Sequence, residues 1–148
     1  MNDTTTQLPL DAIERTIELP HPVERVWRAI SDPAEIGRWF PNESATLDAR
    51  VGGTGEFVWI IEGKEIRSEI HVHEVDESRR FVWSWGHEAS NTDEPVTTVE
   101  FDLAEGTDGG TSLRVRESGF LAEKHRAGNH EGWGEELAEL VAYLDGSV

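Results

Sequence analysis

The sequence predicts an α+β fold: a curved antiparallel sheet of about seven strands wrapped around one long C-terminal helix, with two short helices after the first strand. Three observations predict it. Between residues 45 and 117, stretches with strand character follow one another, separated by turn residues and with no helical pattern between them, which implies antiparallel pairing. Near the end, Trp133, Leu137, Leu140, Val141 and Leu144 recur at helical spacing as one apolar stripe. Such a sheet has one apolar face to cover, and this amphipathic helix is the only long element available to cover it.

Each element has a local reason. In residues 13–19, apolar Ile13, Ile17 and Leu19 alternate with polar residues, the pattern of a strand with one wet face. Pro20-His21-Pro22 stops it. Val23, Val26, Trp27 and Ile30 then form one stripe of a short helix, with Pro22 near its first turn. Asp32 is a good N-cap and Pro33 a good first residue for a second short helix over 34–38, ended by Trp39-Phe40-Pro41. Strands are expected over 45–51, 56–61, 65–75, 79–85, 95–103 and 111–117, with a loop over 86–94. In the long strand, Ile66, Ser68, Ile70 and Val72 share one face, and Arg67, Glu69, His71 and His73 the other. Asn129 is the expected N-cap of the final helix and Gly146 its stop. Residues 1–10 are polar and read as a flexible terminus, leaving 11–146 as a single domain.

Composition excludes several function classes. The 148 residues include no cysteine, so disulfides, a cysteine zinc site and a thiol nucleophile are all excluded. Lys and Arg number 13 against 30 Asp and Glu, a net charge of −17. A surface this acidic repels phosphate, which argues against nucleic-acid and anionic-membrane partners. No run of about 18 apolar residues occurs, and the N-terminus lacks a basic start and an apolar core, so a soluble cytoplasmic protein is expected. Gly52-Gly53-Thr54-Gly55 joins two strands and lacks the Gly-Lys-Ser/Thr ending of a phosphate loop. There is no Gly-x-Ser-x-Gly elbow.

Val23-Glu24-Arg25-Val26-Trp27-Arg28-Ala29-Ile30-Ser31-Asp32-Pro33 resembles the first-helix signature of the START/Bet v 1-like, or helix-grip, superfamily. More narrowly, it resembles the branch named after the C-terminal domain of the activator of Hsp90 ATPase. Arg38-Trp39-Phe40 is similar to that branch's second-helix ending, and Phe81-Val82-Trp83-Ser84-Trp85 to its mid-sheet strand. Glu117-Ser118-Gly119-Phe120, with His130-Glu131-Gly132-Trp133, Leu137, Leu140 and Tyr143-Leu144, resembles its last strand and gripping helix. The resemblance implies a helix-grip fold over residues 11–146. It leaves function open, because the superfamily holds ligand carriers, cyclases, self-sacrificing resistance proteins and a co-chaperone domain.

A single helix cannot fill the concavity of a curved sheet, so a space between the two is expected. Trp27 and Phe101 read as core. Trp39, Phe40, Trp59, Trp83, Trp85, Phe120 and Trp133, with Leu137 on the gripping helix, are the candidate ligand-lining residues; core packing is the competing reading for each. Strand parity puts Phe57, Trp59 and Ile61 on one face and Phe81, Trp83 and Trp85 on one face, without saying which is inner.

Glu117 shares a face with Leu113 and Val115 and is expected to point inward near the cavity mouth. A buried carboxylate needs a partner, and an arginine or His130 is the expected one. His130 opens the expected helix and is a candidate for proton transfer or ligand contact. His71 and His73 share a strand face at a spacing that suits a metal, but that face reads as solvent-exposed; His21 is a turn residue, and His87 and His125 read as loop residues. No metal, cofactor or catalytic residue is predicted.

The leading expectation is a binding protein for a small apolar or aromatic molecule. An enzyme of cyclase or hydrolase type, with Glu117 or His130 moving a proton, is the second reading. A chaperone-linked or homodimeric interaction module is the third.

Overall fold

The computed structural model describes residues 10–87 and 96–146. Along the chain run β1 (Ile13–Leu19), α1 (Val23–Ser31), α2 (Pro33–Trp39), β2 (Ser44–Leu47), β3 (Thr54–Ile61), β4 (Lys64–Asp76), β5 (Arg80–His87), β6 (Thr97–Glu105), β7 (Thr111–Ser118) and α3 (Glu123–Leu144), with a 3-10 turn at Thr107–Gly109 between β6 and β7. All but Leu10 of the expected terminus over 1–10, and most of the expected loop over 86–94, lie outside the described residues.

The strands form one open sheet in the order β1-β7-β6-β5-β4-β3-β2, every pair antiparallel. β1 and β2 are the two edges, so α1 and α2 carry the chain from one edge of the sheet to the other. This is the expected α+β arrangement: the open sheet grips α3, whose Trp133, Leu137, Leu140 and Leu144 are buried against it. Residues at every second position of the strands make the inner face. Phe57 of β3, Ile70 and Val72 of β4, Phe81 and Trp83 of β5, Val99 and Phe101 of β6, and Leu113 and Val115 of β7 are all at most 2 % exposed. No helix of the described residues is long and apolar enough to cross a membrane.

Sequence chemistry fixes the element ends. Asp32 accepts the Ala34 backbone N–H at 2.9 Å and Pro33 occupies the first turn of α2, as the sequence predicts. Trp39, at the end of α2, donates its indole N–H to the carbonyl of Ala29 in α1 at 2.8 Å and so locks the two short helices together. At the far end of α3, Tyr143 donates to Glu35 at 2.9 Å, and Arg25 donates to the same Glu35 oxygen at 2.6 Å. Gly146, at φ 78°, stops α3 as expected.

Two boundaries differ from expectation by more than two residues. β2 ends at Leu47 instead of 51, because residues 48–53 fold into a tight turn in which Gly53 donates to the Arg50 carbonyl at 2.7 Å. Only glycine fits there, since a Cβ on Gly53 would lie 2.0 Å from the Asp48 carbonyl oxygen. α3 begins at Glu123, with Ala122 rather than Asn129 at its N-cap and no side-chain cap. Its first turns carry no apolar stripe, so periodicity did not reveal them. Asn129 and His130 therefore lie inside the helix, not at its start.

Candidate functional site

The inner face and α3 bring six of the expected residues together. Phe40, just after α2, reaches into the concavity, and the rings of Trp39, Phe57, Trp59, Trp83, Trp85 and Trp133 lie 5.1–6.3 Å from it between centroids. Stacked and edge-on contacts of this kind are each worth about 0.5–1.5 kcal/mol beyond area burial. These rings fill most of the space that a single helix leaves open. Of the expected lining residues, Trp39, Trp83 and Leu137 are core. Phe120 is fully buried beneath the first turn of α3, with its ring edge-on to His125 at 5.0 Å. Gly119, at φ 102°, makes the bend that carries the chain from β7 over Phe120 into α3.

Glu117 points inward from β7, as predicted, and is 0 % exposed. Its partners are not those expected. Oε1 accepts the Trp133 indole N–H at 2.8 Å; Oε2 accepts the Trp85 indole N–H at 2.9 Å and the Thr97 hydroxyl at 2.5 Å. The Asn129 amide donates to both oxygens, at 3.2 and 3.1 Å. No arginine or histidine is among these donors. A carboxylate is acceptor-only, and indole and amide N–H groups only donate, so the set matches a carboxylate in every bond. Strand register builds the cluster: Trp85 stands opposite Thr97, and Val99 opposite Glu117.

His130 is not part of it. It is exposed, its carbonyl accepts from Arg15 at 3.0 Å, and its Nδ1 lies 3.5 Å from the same guanidinium. His21 lies 2.9 Å from Asp145, and His73 lies 2.7 Å from the Ser84 hydroxyl on the outer face, next to a register shift in β4. Among the described residues no three His, Asp or Glu side chains converge as metal ligands.

Beside this cluster the rings leave a cavity of about 180 Å³. β3 and β4 line it with Trp59, Ile61, Ile66 and Ser68; β5 and β6 with Trp85, Gly86 and Thr97; α3 with His125 and Asn129. Glu117 stands behind this wall and fixes three of its members, Trp85, Thr97 and Asn129. A second cleft of about 150 Å³ adjoins it, sharing Trp59, Trp85 and Asn129 and adding Phe40, Gly132, Trp133 and Glu136. Glu136 is half-buried. Burial, with the neighbouring Glu139 and Glu135 charges, pushes its carboxyl up to about 7 against the opposing pull of a hydrogen bond from Trp59.

The sequence reading missed Ile66, Ser68, Thr97, His125, Asn129 and Glu136 as lining residues. A signal exists for three of them. Stepping back from Leu137 and Trp133 in fours reaches Asn129 and His125, one row on the helix face. Thr97 likewise alternates with Val99, Phe101 and Leu103.

The open seven-stranded sheet closed on a C-terminal helix defines a helix-grip protein, a START/Bet v 1-like fold of the kind that binds small hydrophobic ligands. A family model described as activator of Hsp90 ATPase homolog 1-like protein matches residues 20–145, and the chain belongs to that family. Solved structures agree. CalU16 from Micromonospora echinospora is 26% identical with a TM-score of 0.73, over 90% of this chain and 75% of its own. Protein MLL2253 from Mesorhizobium loti is 22% identical with a TM-score of 0.80, over 93% and 99%. DynU16, a protein of the dynemicin biosynthetic locus, is 24% identical with a TM-score of 0.76; the match covers 93% of this chain and 48% of that one. No curated protein sequence matches the chain.

Proposed function

We propose that this protein binds a small apolar or aromatic molecule, with one ring seated in the cavity between the sheet and the first turns of α3. The observation that carries the reading is the cavity itself: about 180 Å³, walled by two indoles and two isoleucines, with Thr97, Ser68, His125 and Asn129 as its polar groups. An apolar cavity of about 150 Å³ is enough to take benzene, so the fit is to one ring and its substituent, not to a large polycyclic ligand. Glu117 serves this site by position. All of its neighbours donate to it, so its role is to hold Trp85, Thr97, Asn129 and Trp133 in place and not to accept a substrate proton.

Toluene is a suitable probe. Added to the wild-type protein it raises the unfolding temperature in proportion to its concentration, because a ligand bound only by the folded state stabilises it. Ile66→Phe places a ring in the same space, and toluene then gives no shift. A wild-type protein indifferent to toluene, or an Ile66→Phe protein that responds equally, would overturn the assignment.

A further inference from the structure

We propose that the adjoining cleft, walled by Phe40, Trp59, Trp85 and Trp133, binds the ammonium head of a small organic cation, with Glu136 and Glu117 supplying the counter-charge. This deepens the reading above and rests on it only for the ring half of such a ligand.

Three features converge. The first is the wall: four aromatic rings border a cleft of about 150 Å³, room for one alkylammonium group. Ring faces attract cations through their quadrupole, most strongly for tryptophan.

The second is what the indoles are bonded to. Trp85 and Trp133 donate their N–H groups to Glu117, and Trp59 lines the cleft together with Glu136. Each such bond polarises its donor and moves electron density onto the ring, which strengthens the face toward a cation. Trp85 and Trp133 are tuned in this sense by Glu117, at 2.9 and 2.8 Å.

The third is charge. Glu117 carries no cationic partner among its hydrogen-bond donors, so its negative charge, just behind Trp85, Trp133 and Asn129, is held by neutral groups alone. Glu136 lines the cleft directly. Outside it, Glu135 and Glu139 of α3 and Arg38 of α2 border the groove that leads in, three carboxylates with Glu136 against one guanidinium. A net charge of −17 draws cations toward the molecule as a whole.

Choline and its neutral carbon isostere 3,3-dimethylbutan-1-ol separate charge from shape. Titration of the wild-type protein, followed by the indole N–H resonances, is expected to shift the signals of Trp59, Trp85 and Trp133 but not those of Trp27 and Trp39. Choline is expected to bind roughly tenfold more tightly than the alcohol. Affinity for choline is expected to rise between pH 6 and pH 8, as Glu136 ionises, and Glu136→Gln should weaken it and flatten that rise.

Equal affinity for choline and the alcohol, or shifts spread over all the tryptophans, would overturn the proposal. Toluene and choline are titrated separately into the wild-type protein, so the two readings fail separately. Toluene without choline sinks the ammonium site alone, and choline without toluene sinks the ring cavity alone.

Discussion

Trp133 of α3 donates its indole N–H to Glu117 of β7 at 2.8 Å, and both residues are buried. The bond ties the gripping helix to β7, one strand in from the β1 edge of the sheet, by a polar contact inside an aromatic core. Hydrogen bonds to a charged group contribute about 1.5–3 kcal/mol, and an unpaired buried charge costs more. The two side chains are therefore interdependent, since neither can change type without stranding the other.

Glu117→Gln tests this directly. The amide is nearly the same shape, but it turns a donor toward a cluster of donors. Of the bonds from Trp85, Thr97, Asn129 and Trp133, those on one side become repulsive. The expected cost is about 2–4 kcal/mol, read as a lower urea midpoint at unchanged slope. A loss below about 0.5 kcal/mol would show that the cluster does not need a carboxylate.

Glycine gives opposite outcomes at two positions. Gly128 is interior to α3, and a Cβ there meets nothing within 4 Å, so Gly128→Ala is expected to stabilise by about 0.5–1 kcal/mol. At Gly53 the added Cβ would lie 2.0 Å from the Asp48 carbonyl oxygen, and Gly53→Ala is expected to destabilise by more than that gain. Thermal unfolding of the two variants beside wild type checks both signs.

The strand pattern, the Asp32 cap and the α3 stripe were legible because each rests on local chemistry: alternation, a side chain near its own backbone, a 3.6 period. The partners of Glu117 were not. Trp85, Thr97 and Asn129 lie 12–32 residues away and meet it only through sheet register and the placement of α3. Charge intuition pointed to an arginine, whereas the fold supplies neutral donors. The start of α3 was hidden for another reason. From Glu123 to Gly132 the helix carries mostly polar residues and glycine: most of them are exposed, and His125, Asn129 and Gly132 border the cavity and its adjoining cleft. The feature that concealed the helix start is the same one that leaves the cavity beside it.

On the outer face, Arg80 of β5 reaches Asp102 at 2.7 Å, Glu100 at 2.8 Å and Glu74 at 3.1 Å. These carboxylates, Asp102 first and Glu100 next, accept from the guanidinium and hold its proton more tightly than usual. Arg80→Gln removes the guanidinium the three acids share, leaving Glu100, whose side chain is only 16% exposed, to Arg116 at 3.2 Å and Asp102 to Arg114 at 3.8 Å. The expected loss is about 1–2 kcal/mol at low salt. It should shrink clearly in 1 M salt, where the screening length falls to about 3 Å. Urea unfolding at two salt concentrations reads this, and a salt-independent loss would point to packing of the Arg80 stem instead.

Glu136 sets a pH dependence whose sign follows from its position. Its carboxyl stands at about 7 in the folded protein against 4.5 in the free side chain. Between those values the folded chain holds a proton that the unfolded chain has lost, so stability falls as pH rises from about 4.5 to about 7. Above that range the folded state carries a charge pressed against Glu135, Glu139 and an aromatic wall. Glu136→Gln removes the charge while keeping an oxygen for Trp59. The variant is expected to be about 1–2 kcal/mol more stable than wild type at pH 8, after allowance for solvent screening, and close to it at pH 5. Denaturant unfolding of both proteins across that range measures the difference. If the two curves run parallel, Glu136 titrates as an ordinary surface carboxylate and the wall beside it is wet.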